Sequence, residues 1–199
     1  FRDHKVRGLF EQGAYQSHGS EMSEMRSWVL ARLLWNPDQD DSKLIDELLA
    51  GYYGAPAAKP IRAYLDLMHK ATGSTYVGCF ARPEGPQFAY PVMAQAERLW
   101  QEAEAAAKDN PDLLWRVKQG HLPVRTAWMI RWTDLRKEQK ADATSAPWPL
   151  SPSRKAIADE WLATATGPGP AGWSPMTHVD EGGLTPHAFA ARFATNPAE

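Results

Sequence analysis

The chain has 199 residues, of which 43% are hydrophobic and 23% charged, a globular balance that excludes a disordered chain. Lys and Arg number 22 against 24 Asp and Glu, so the basic surplus of a nucleic-acid or anionic-membrane binder is missing. Cys79 is the single cysteine, which rules out an intramolecular disulfide and a cysteine-built zinc site. No apolar run is long enough to span a bilayer as a helix.

The chain opens on Phe1 and runs at once into an apolar stretch, so it reads as a piece that begins inside a domain. Residues 5–12 (KVRGLFEQ) have the mostly apolar interior of a short buried strand. The loop that follows (GAYQSHGS) holds two possible helix caps, Ser17 and Ser20. Strand, loop and next helix form one βα unit. Residues 21–35 are helical in rhythm, with Met25, Trp28, Val29, Arg32, Leu33 and Trp35 at three- and four-residue steps and Asn36-Pro37 as the stop. An Asp40 or Asp41 cap starts a helix over 42–53, and Gly51 with Gly54 closes it. Ile61, Tyr64, Leu65 and Met68 then mark an amphipathic helix that begins at Pro56 or Pro60 and ends near 71.

Residues 73–90 break this rhythm, with TYVGCF as a second short strand. An alanine-rich helix over 91–108 places Met93, Ala96, Trp100, Ala103 and Ala107 on one face. The next pattern, 111–138, corresponds to about 40 Å of helix, which Gly120 and Pro123 are expected to kink or split. Beyond residue 139, eight of the sixteen prolines alternate with two short helices, 153–165 and 186–194. The expected class is therefore mainly α, organised as a strand and loop (1–20), a helical domain (21–138) and a Pro/Gly-rich tail (139–199). The helical domain should form one contiguous core that buries Trp28, Leu33, Leu48, Tyr64, Leu65, Met68, Trp100, Trp128 and Trp132.

Glu11 is the first candidate for chemistry. It ends the expected strand, and in α/β barrels the strand C-termini and the loops after them build the catalytic face. A carboxylate there suits glycoside hydrolysis, which needs two carboxyls flanking the bond. The alternative is a Glu that caps the loop or pairs with Arg7 or Arg32. His18, on the same loop, would contact a sugar hydroxyl or shuttle a proton, or else is simply solvated. His69, His121, His178 and His187 lack metal-ligand spacing. There is no G-x-S-x-G elbow and no phosphate-binding loop, so serine hydrolase and nucleotide chemistries have no support, and no cofactor or metal is expected. Trp28, Trp35, Trp100, Trp128 and Trp132 lie on helical stripes and read as core. Trp148 and Trp173, in proline-rich loops, are freer to be exposed or to pin those loops onto the helices.

GLFEQGAYQ at 8–16, RSWVLARLLWNPDQD at 26–40, GYYG at 51–54 and IRAYLDLMH at 61–69 occur in an order and spacing that resemble the C-terminal part of the bacterial family called domain of unknown function 4838. The resemblance covers about residues 5–137, and Asn36-Pro37 stands where the family usually has Asp-Pro. It implies a helical region after a (β/α) barrel similar to those of α-glucuronidases and hexosaminidases. The residual βα unit is then the barrel's end. It further implies a glycoside hydrolase-like protein acting on polysaccharide-derived sugars, with Glu11 at the end of the last barrel strand, lining the sugar pocket as this chain's catalytic candidate, and the acid/base pair mostly on earlier strands. A periplasmic or secreted parent fits this, and the single cysteine also fits the cytoplasm. Gln12, Tyr15 and His18 would contact the sugar, and the partners would be an upstream barrel domain of the same chain and a carbohydrate, with no nucleic acid and no membrane. A non-catalytic helical module for domain packing or glycan binding is the competing reading.

Overall fold

The computed structural model describes residues 2–10, 19–78, 81–170 and 173–195. It is mainly helical, with 64% helix and no strand among the described residues. Among the described residues, eight α-helices follow one another: α1 (Ser23–Trp35), α2 (Asp41–Tyr53), α3 (Ala55–Thr72), α4 (Tyr90–Ala107), α5 (Pro111–Ile130), α6 (Trp132–Ala141), α7 (Arg154–Thr166) and α8 (Pro186–Ala191). None is long and apolar enough to cross a membrane.

The two expected strands are corrected where they can be seen. Residues 5–10 and 75–78 adopt no strand, so no βα unit stands among the described residues. Val6, Leu9 and Phe10 are exposed, Phe10 at 88%. A strand needs a neighbour to take its backbone N–H and C=O groups, and these segments have none among the described residues.

Local chemistry sets most helix ends. Asp40 accepts a hydrogen bond from the Lys43 N–H at the start of α2, Asn110 does the same for Asp112 and Leu113 in α5, and Thr185 for Ala188 in α8. The start of α1 departs from expectation: its cap is Met22, at φ 48°, with no side-chain cap, in place of Ser20; Ser17 lies outside the described residues. Gly54 alone joins α2 to α3 at φ 83°, where a Cβ would sit 2.6 Å from Leu113 Cδ1. Gly54→Ala is therefore expected to lose roughly 1–3 kcal/mol and lower the melting temperature by about 5 °C, read by thermal unfolding.

The fifth helix continues unsplit through Gly120 and Pro123 and breaks at Arg131. Gly120 serves packing, because a Cβ there would meet the Trp100 ring at 2.7 Å and the Tyr53 hydroxyl at 2.9 Å. At the break, Arg154 of α7 donates to the Met129 carbonyl from Nε (3.0 Å) and Nη2 (2.7 Å), occupying an acceptor that a continuing helix would use. Arg131 is held by Glu138 at 2.8 Å, and Glu138 accepts from the Tyr90 N–H at 2.7 Å, which places a carboxylate at the N-terminus of α4.

Two hydrophobic clusters form where one was expected. The larger joins α2, α3, α4 and one side of α5 around Tyr53, Tyr64, Tyr90, Trp100 and Trp128. The second packs Leu122, Met129 and Trp132 against Ile157, Trp161, Met176, Phe189 and Phe193. Helix α5 is buried on both sides because α7, from the proline-rich tail, covers its far face, with α8 packed on α7. Trp148 and Leu150 touch both clusters: Trp148 stacks on Tyr90 at 5.9 Å and meets Trp128 and Trp132 edge-on at 4.9 and 5.0 Å. Helix α1 is the exception to this packing. None of its residues is buried: Trp28 and Leu33 are half-buried, and Trp35 is 91% exposed, which corrects its assignment to the core. Leu65 and Met68 are also half-buried, at the rim of the larger cluster.

Candidate functional site

Helices α4 and α5 face each other with complementary ladders. Glu97, Gln101 and Glu104 recur at i, i+4 and i+7 on α4, and Lys118, His121 and Arg125 recur at i, i+3 and i+7 on α5. Glu97 is wholly buried and His121 is 2% exposed. The His121 Nε2–H meets Glu97 Oε2 at 3.0 Å, and its Nδ1–H meets Glu104 Oε1 at 2.7 Å. Arg125 Nη2 bridges to Glu97 Oε1 at 2.8 Å, and Nη1 reaches Glu160 of α7 at 3.3 Å. Gln101 donates to Glu97 at 3.0 Å. A charge-assisted chain thus runs from Glu104 at the surface, through the buried pair, to Glu160.

Burial alone would push the Glu97 carboxyl up, but the charge and hydrogen bond of His121, then Arg125, outweigh it and hold the group below its ordinary value of 4.5. His121 mirrors this: burial works to lower its pKa, and Glu97, Glu104 and their hydrogen bonds raise it above 6.5. Below pH 6.5 His121 is therefore an imidazolium paired with the Glu97 carboxylate. In that state both ring nitrogens donate, and His121 has no lone pair to offer as base, nucleophile or metal ligand. Among the described residues, no three His, Cys, Asp or Glu side chains are arranged to hold a metal ion. A cavity of about 260 Å³ opens beside the pair, lined by Glu104, Lys118, His121, Arg125, Glu160 and Thr164 among others.

A second buried contact adjoins this cluster. The Trp100 ring stacks on His121 with centroids 5.5 Å apart and lies 5.3 Å from Tyr64. The Tyr64 hydroxyl donates to Glu21 Oε1 at 2.7 Å. Glu21 as a residue is exposed, yet protein crowds its carboxyl, and that desolvation raises its pKa against the opposing pulls of Tyr64, Arg26 and His121. Tyr64 and Tyr53 are pushed well above the ordinary phenol value by burial, so both hydroxyls stay neutral.

The residues singled out from the sequence, Glu11, Gln12, Tyr15 and His18, lie outside the described residues, as does Cys79. Gly19, the residue after His18, packs against Leu122 and Met176. His69 and His187 are exposed and His178 is half-buried. Sequence reasoning missed the roles of Glu97, Glu104 and His121. The signal was present: an acid ladder beside the Ala96–Trp100–Ala103 stripe, and His121 and Arg125 four apart on a helix of similar length. Trp148 and Trp173 both pin their loops: Trp173 lies 5.0 Å from Trp115 and 6.3 Å from Tyr52.

Fold and cluster together define a helical bundle with an ion-paired interior. A family model described as Domain of unknown function (DUF4838) matches residues 1–66, about a third of the chain, which supports the family resemblance over α1, α2 and the first two thirds of α3. No curated protein and no solved structure matches the chain.

Proposed function

We propose that this chain is the helical portion of a carbohydrate-active, glycoside hydrolase-like protein, and that it supports a sugar pocket without supplying the full catalytic pair. The observation that carries this reading is the junction at Gly19–Met22. The stretch holding Glu11, Gln12, Tyr15 and His18 continues directly into residues seated on the bundle, beside Tyr64. The family match over residues 1–66 spans that whole junction, Tyr64 included. Hydrolysis needs an acid and a base or nucleophile about 5 to 9.5 Å apart across the sugar. The interior carboxyls cannot serve freely: Glu97 is committed to His121 and Arg125, and Glu21 to Tyr64.

In the natural protein carrying this sequence, Glu11→Gln is expected to lower turnover by about 10²-fold or more while the melting temperature holds. An unaffected enzyme would make Glu11 structural. The 199-residue chain alone is expected to turn over no aryl-glycoside, and turnover by it would overturn the supporting role.

The competing reading, a module for domain packing or glycan binding, draws on exposed apolar side chains. Leu30, Leu34 and Trp35 of α1 and Phe10 before it are exposed together with Val6 and Leu9. Titration of oligosaccharides against tryptophan fluorescence distinguishes the two: a response lost in Trp35→Ser places glycan binding on α1.

A further inference from the structure

Helix α1 is attached to the bundle unevenly. Its thirteen residues include none that is buried, its main neighbour is α2, Met25 packs at the rim of the larger cluster, and Leu30, Leu34 and Trp35 are exposed, Leu34 beside Val6 and Leu9. The residues just before it are built in. Met22 is 4% exposed, belongs to the larger core cluster and lies with Sδ 3.9 Å from the Tyr53 hydroxyl. Glu21 accepts from Tyr64 at 2.7 Å, and Gly19, at φ 86°, packs against the Met176 methyl. Met22 is held at φ 48° and ψ 37°, a left-handed conformation that a non-glycine residue adopts only under restraint. The anchor is small, strained and polar at its outer end.

We propose that Glu21 and Met22 form a latch, and that α1 is a strap which releases from the bundle as a unit, ahead of global unfolding, when the latch opens. Release frees the Tyr53 and Tyr64 hydroxyls from Met22 and Glu21 and uncovers the aromatic interior floored by Trp100, behind which His121 is stacked. The cooperative unit that opens is set by where buried contacts are sparse, and here the sparse region is α1 itself. The inference stands on this attachment alone and holds whether or not the protein binds sugar.

Native-state amide exchange on the whole chain, followed by mass spectrometry, tests it. In the wild type, amides of α1 are expected to exchange at least about 100-fold faster than those of α4 and α5. Tyr64→Phe removes only the hydroxyl, and Glu21→Ala changes a residue outside the core. Each is expected to speed α1 exchange about tenfold and to leave α4 and α5 unchanged. Glu21→Gln keeps an acceptor for Tyr64 and should retain wild-type protection. Trypsin cleavage after Arg26 and Arg32, both exposed, should follow the same order. The latch is overturned if α1 exchanges at the rate of α4 and α5, if the two variants speed all three helices equally, or if Glu21→Ala leaves α1 exchange unchanged.

Discussion

Glu97→Ala is expected to destabilise the protein by about 3–5 kcal/mol and to lower its melting temperature by about 10 °C. Removing this carboxylate strands the buried His121 and takes from Arg125 the closer of its two partners, at 2.8 Å against 3.3 Å for Glu160. The pair's own net worth is smaller than this loss, because burying two ions is itself unfavourable; most of the effect is the uncompensated charge left behind. Glu97→Gln keeps the shape and part of the hydrogen bonding, so it should be milder than Ala. Thermal unfolding of both variants checks the order. A loss below about 1 kcal/mol for Glu97→Ala would mean that water reaches the cluster and screens it.

The same pair sets a pH window. The Glu97 pKa is lowered on folding, so its contribution is present above 4.5 and is lost as pH falls through the folded value. The His121 pKa is raised, so its contribution is complete below 6.5 and is lost as pH rises through the folded value. The pair is therefore strongest between these limits. Glu21, raised by burial, also favours folding on the acid side and weakens as pH rises. The wild type should melt at a lower temperature above pH 8 than near pH 6. Glu97→Ala should flatten this slope, since His121 then keeps only Glu104.

Trp128→Ala is expected to cost about 3–5 kcal/mol, whereas Trp35→Ser should stay within about 0.5 kcal/mol of the wild type. Trp128 is wholly buried and meets Tyr90 and Trp148 edge-on, at 6.1 and 4.9 Å. Its loss opens a cavity where the proline-rich segment joins the two clusters, so relaxation there would also loosen Trp148 from Trp132. Trp35 is 91% exposed at the end of a helix with no buried residue. Denaturant unfolding of the two variants separates the cases. Equal losses would place Trp35 in the core, and a loss below about 1 kcal/mol for Trp128→Ala would place that residue on the surface.

Much of the helical framework was legible in the residues. The stripe Ile61–Tyr64–Leu65–Met68 and the Asp40 cap mark elements that form where those signals stand. These are local effects: a side chain that satisfies its own helix's N–H groups acts within four residues. Where the signal depends on a partner, reading failed. Residues 5–10 carry strand composition without a neighbouring strand among the described residues, and Gly120 looked like a breaker because the Trp100 ring it accommodates is twenty residues away. The break at Arg131 depends on Arg154, a residue of another helix.

The sequence by itself determined that this is a mainly helical chain, where α2, α5 and α8 start, and which side of each helix is apolar, because capping and periodicity are settled within a turn or two of backbone. Tertiary structure alone decided which apolar sides are covered. The stripe of α1 and that of α4 look alike as patterns, yet Trp35 is left in solvent and Trp100 is sealed, because only α4 has helices on both flanks. It also decided that Glu97 is a buried ion. A glutamate on an alanine-rich helix is ordinarily solvated, and only the approach of α5, with His121 and Arg125 facing it, makes a carboxylate stable where water cannot reach.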